Sequence, residues 1–62
     1  MMNEDSLRQL NLNELLNVLA KTIDEYLRFE KIRDEKNLEF KQAELYILHK
    51  VITDKKSELG IT

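Results

Sequence analysis

The chain has no cysteine, no proline, no tryptophan and a single glycine, Gly60. Without cysteine there are no disulfides and no thiolate metal sites. The one histidine, His49, cannot build a multi-histidine zinc centre. A lone glycine near the C-terminus rules out a glycine-rich phosphate loop, and 62 residues are too few for a nucleotide-binding fold. The longest strictly apolar run, Leu45 to Leu48 ("LYIL"), falls far short of the ~20 residues that a membrane span needs. The opening "MMNEDSLRQL" is acidic and lacks the apolar stretch of a secretory signal. These absences together lead us to expect a cytoplasmic protein with no membrane partner, no cofactor and no small-molecule substrate.

Charge of one sign is also missing. Ten basic residues face twelve acidic ones, for a formal net charge of −2. That balance lacks the basic footprint of a nucleic-acid binder. Apolar residues make up 42% of the chain, which is too many for a disordered segment of so small a net charge. A chain of this length is one small domain, which buries only about 60% of its unfolded surface and needs a staple. With disulfides and metal excluded, the remaining staple is association.

What the chain does have is helix formers. Leucine, glutamate and lysine dominate, and nothing inside the sequence punctuates strands or turns. An all-α fold follows. "SLRQ" offers Ser6 as a cap with Gln9 three residues on, which predicts a short N-terminal turn. "LNLNELL" is a stronger start signal. Asn11 can cap and Glu14 can reach back, while Leu10 and Leu15 stand at the positions of a hydrophobic staple. A helix is predicted from Leu12, with Leu12, Leu15, Leu16, Leu19, Ile23, Tyr26 and Leu27 at amphipathic spacing. Val18 and Phe29 widen the arc to roughly half the circumference, more than a minimal core-facing stripe.

The apolar pattern lapses over Glu30 to Asn37, "EKIRDEKN". Asp34 and Asn37 are the candidate caps for a second helix, and the connection is placed at Arg33 to Asn37. The second helix is expected from about Leu38 to Leu59. Leu38, Leu45, Ile52 and Leu59 repeat every seven residues, Leu48 falls between them, and Phe40, Ile47 and Val51 line a neighbouring flank. Gly60 suits the left-handed position that ends a helix.

These features predict an antiparallel two-helix hairpin, about 11–33 and 38–59. A two-helix contact hides only one seam per helix, so apolar arcs this wide imply a further partner. Self-association of two hairpins as a four-helix bundle is the expected solution, with a homodimer the default. The competing architecture is one continuous helix from Leu12 to Leu59 in a coiled coil. The residues expected at the association surface are Leu16, Leu19, Ile23, Tyr26, Leu45, Tyr46, Ile47, Leu48, Val51 and Ile52. Within that set, Leu45, Leu48 and Ile52 would close the hairpin, while Tyr46, Ile47 and Val51 would need a second surface.

Chemistry is poorly represented. No carboxylate stands three or four residues from His49, so the metal-binding pattern of helical bundles is absent. Ser6 and Ser57 have no base and acid arranged with them in sequence. We expect no enzyme, and His49 half-buried at the edge of the apolar face near Leu45 and Ile52. Asp24 and Arg28 form an i, i+4 pair on a solvated face. Arg28, Lys31, Arg33, Lys36 and Lys41 cluster around the connection as candidate phosphate contacts, but Glu30, Asp34, Glu35 and Glu39 interleave with them. No motif assigns a family. The size and expected outline are similar to those of small plasmid-copy-control RNA-binding proteins, an architectural likeness alone. "SELG" at Ser57 to Gly60 does not match the Ser-Gln-Glu-Leu-Asp motif of small sporulation phosphatases. The expected function is a non-enzymatic protein-interaction module, a homodimeric regulator or adaptor. The alternatives are a small regulator that contacts RNA or DNA, and a helical subunit of a larger assembly.

Overall fold

A computed structural model describes residues 3–60. They form three helices, α1 (Glu4–Arg8), α2 (Leu12–Lys31) and α3 (Glu35–Glu58), with no strand among the described residues. The two long helices pack against each other and α1 packs against α3, giving a body of 39 × 18 × 16 Å. The all-helical expectation is met. The continuous helix is not, because the chain leaves α2 at Lys31 and turns before α3.

Each boundary has a local cause. Asn11 caps α2 as the sequence predicts. Its side chain accepts from the Glu14 N–H at 2.8 Å, and Glu14 Oε1 accepts from the Asn11 N–H at 3.1 Å, which closes the capping box. The cap of α1 differs from expectation. Asn3 holds that position, its side chain accepting from the Asp5 N–H at 2.8 Å, while Ser6 lies inside the helix. Starting the turn at Asn3 places Glu4 and Asp5 at the positive end of the helix dipole, an advantage a start at Ser6 would lose.

The connection is shorter and earlier than expected, with α3 starting at Glu35 rather than Leu38. Arg33 adopts a left-handed conformation (φ 57°) just past the end of α2. Its N–H donates to the Glu30 carbonyl at 3.2 Å, and the Asp34 N–H donates to the Phe29 carbonyl at 3.0 Å. These are the two bonds of a Schellman motif, made with arginine where glycine is usual. Asp34 then caps α3, accepting from the Asn37 N–H at 3.3 Å. One residue thus finishes one helix and starts the next, so no separate turn sequence is needed. At the far end Gly60 takes the left-handed conformation that its sequence position anticipates (φ 75°), and its N–H donates to the Ser57 carbonyl at 3.1 Å.

The core is gathered at the end of the molecule that holds α1. Leu7, Leu15, Leu48, Val51 and Ile52 are buried, with Leu10, Leu12, Val18, Leu19 and Ile47 packed against them. Polar contacts fasten α1 over this core. Arg8 Nη2 meets Asp54 Oδ2 at 2.9 Å, Lys55 Nζ donates to the Arg8 carbonyl at 3.1 Å, and Lys50 lies 3.4 Å from Glu4. The bond to Asp54 raises the Arg8 pKa further above its ordinary value. Among the described residues no helix is long and apolar enough to cross a membrane.

Candidate functional site

α2 carries two apolar seams side by side. Leu12, Leu15, Leu19, Thr22, Tyr26 and Phe29 alternate by three and four residues, and all are buried or half-buried. Leu16, Ala20, Ile23 and Leu27 follow the same alternation one residue further on, and all four are exposed. Successive residues of a helix differ by ~100°, so the second seam faces a neighbouring side. Thr22 shows how a polar residue fits the inner seam. It is buried, and its hydroxyl donates back to the Val18 carbonyl at 2.8 Å.

α3 also has adjacent seams. Leu38, Lys41, Leu45, Leu48, Ile52 and Lys55 are buried or half-buried, and one residue earlier along the chain lie Phe40, Glu44, Ile47, Val51 and Asp54. Four of this second set are buried or half-buried, and Phe40 is exposed. The cover at the C-terminal end of this seam comes from α1, which adds Leu7 to the core and bonds Asp54.

The residues named from sequence therefore separate into three groups. Leu48, Val51 and Ile52 are buried within the chain itself. Leu19, Tyr26, Leu45 and Ile47 are half-buried. Leu16 and Ile23 are exposed, and Tyr46 is the most open of the large hydrophobic residues, at 72%. The expectation that Val51 and Ile47 need a second surface is corrected, since both belong to the core or pack directly against it. His49 is also exposed rather than half-buried. It stands on the step after Leu48, which turns it away from the inner seam.

The five cations around the connection are not equivalent. Arg28, Lys31, Arg33 and Lys36 are exposed, and Arg28 pairs with Asp24 at 3.1 Å as expected. Lys41 is largely covered, lying 2.8 Å from Glu44 Oε1 and 3.2 Å from Glu25 Oε1. The close ion pair with Glu44, with a smaller contribution from Glu25, raises the Lys41 pKa despite partial burial that lowers it. Glu44 is itself buried, and Lys41 is the counter-charge that makes this tolerable. Lys41 is thus an inter-helix tie. Sequence reasoning missed it because Glu25 lies one helix away, although the pair with Glu44 on the next turn is a local one.

Among the described residues no group of three or more histidine, cysteine, aspartate or glutamate side chains is arranged to hold a metal ion. The distinctive feature is an apolar surface: Leu16, Ala20, Ile23 and Leu27 along α2, with Tyr46 exposed on α3. No protein-family model, curated protein or solved structure matches the chain.

Proposed function

We propose that this chain is a non-enzymatic interaction module whose two long helices form an antiparallel hairpin, and that two such hairpins associate as a four-helix bundle. The protein then acts as a small homodimeric regulator or adaptor. The inter-helix contacts fit the hairpin. Glu25 reaches Lys41 close to the connection, while Arg8 reaches Asp54 near the opposite end. The observation that carries the association is the exposed second seam of α2, Leu16, Ala20, Ile23 and Leu27. A lone small hairpin leaves such a seam wet, whereas a bundle buries it.

Sedimentation equilibrium tests this reading. A mass near twice the 7.4 kDa of one chain is expected at micromolar concentration, and a stable single-chain mass across the range overturns the association. Retention of a random RNA probe at low salt would favour the nucleic-acid alternative. Glu30, Glu35 and Glu39 beside the exposed cations argue against it.

A further inference from the structure

We infer that a second copy of the chain docks on the face opposite α1, with α2 lying antiparallel on its own counterpart. The inference rests on the self-association proposed above and specifies its surface and geometry. In an antiparallel pair of right-handed helices, one step forward along α2 and one step forward along α3 turn to the same side. The apolar residues on that side are Leu16, Ala20, Ile23 and Leu27 of α2 and Tyr46 of α3, and each is exposed. One step back along each helix leads to the other side, where Val18 packs on the core and Asp54 holds Arg8 of α1. α1 therefore occupies one side and leaves the other open.

Three observations select a second copy as occupant. The body is large enough for a small dimer, since its broadest projection, 39 × 18 Å or about 700 Å², is of the same order as the about 800 Å² per partner that standard interfaces bury. The seam on α2 keeps the three–four alternation that packs helix on helix, so it can meet itself across a twofold axis, with Leu16 beside the partner's Leu27. Charge then chooses between the two twofold arrangements. Glu30 and Glu39 stand on the open side at the connection end, and Lys56 stands at the other end. Placing α2 on the partner's α3 would bring both connection ends together and set Glu30 against the partner's Glu39. It would also cover the α2 seam with Gln42, His49 and Thr53. Placing α2 antiparallel on the partner's α2 separates the acidic ends, buries leucine against leucine, and carries Glu39 toward the partner's Lys56.

Substitution and cross-linking on the full chain test this. Ile23→Asp should raise the dimer dissociation constant roughly a hundredfold or more, as loss of a central interface residue does. Phe40→Asp, exposed on the other flank of α3, should leave it within a few-fold. If the wild-type chain is monomeric, both the association and this surface fall. If it is a dimer that Ile23→Asp leaves intact, or that Phe40→Asp breaks instead, association stands and this surface is wrong. Because Ile23→Asp could unfold the chain, cysteine placement provides a second measure in a protein that has none of its own. Ala20→Cys should form a covalent dimer with a short bis-maleimide, and Ala43→Cys, exposed on α3, should not. Equal cross-linking of the two, or none at Ala20→Cys, overturns the proposal.

Discussion

Where α1 lies over the long helices, Leu7, Leu15, Leu48, Val51 and Ile52 are buried; toward the connection, Leu27, Ile32 and Phe40 are exposed. Both ends are built from the same kinds of residues on the same two helices. The difference is the number of helices present. Three helices can enclose a core, whereas two can only share a seam. The connection end is held instead by directional contacts: the Schellman motif at Arg33 and Asp34, and the tie of Lys41 to Glu25 and Glu44. The α1 end combines burial with the polar contacts of Arg8, Lys55 and Lys50, whereas the connection end has hydrogen bonds and charge without a buried core.

The contrast can be broken most severely at the three-helix end. Leu48→Ala should cost about 2–5 kcal/mol, a large part of the stability of so small a domain, because Leu48 is fully buried. Ile32→Ala near the connection should cost about 0.5 kcal/mol or less, since Ile32 is 69% exposed. Urea denaturation followed by circular dichroism compares the two, and equal losses would mean that the connection end is as well packed as the α1 end. Leu7→Ala should follow, at roughly 2–3 kcal/mol, through loss of the contact that seats α1 on the core. Hydrogen exchange should then accelerate around Val51 and leave the residues flanking the connection unchanged.

At the connection end a substitution can stabilise. Arg33→Gly should add about 1 kcal/mol, because a left-handed conformation strains any residue with a Cβ and the Arg33 side chain is exposed. A higher melting temperature is the expected reading, and a lower one would show that the arginine side chain contributes more than its backbone strain costs. The remaining test concerns the charge tie at Lys41. Its pKa is raised on folding, so its contribution is fully present below the unfolded value of 10.5 and is lost as pH rises through the folded value. Lys41→Met should therefore lower stability at neutral pH and flatten the alkaline part of the stability profile relative to the wild type. An identical alkaline slope in both proteins would remove the tie from the account.

Much of the local structure was legible in the sequence. Asn11 and Glu14 are a capping box because their spacing lets each satisfy an N–H that the helix leaves free. Gly60 ends α3 because glycine enters the left-handed region without strain. The start of α1 was misread because Ser6 and Asn3 are both competent caps, and the choice depends on where the acids then fall. The connection was placed late because nothing in the sequence marks Arg33 as left-handed; only the bonds to Glu30 and Phe29 hold it there.

The candidate surface was less legible, for a related reason. Counting apolar residues on α2 selects Ile23 and passes over Thr22, yet the fold buries Thr22 and exposes Ile23. The hydroxyl satisfies itself on the preceding turn, so polarity did not keep it out of the seam.

The sequence by itself determined that the chain is helical, the start of α2, the end of α3 and the breadth of the apolar arcs, since capping chemistry and the 3.6-residue period act over a few neighbouring residues. It could not choose between two seams one residue apart, because both satisfy the same period. Tertiary packing made that choice. α1 covered the flank of α3 that carries Val51 and, with the α2–α3 contact, left Leu16, Ile23 and Leu27 outside, because a side chain is buried only where another helix arrives to cover it.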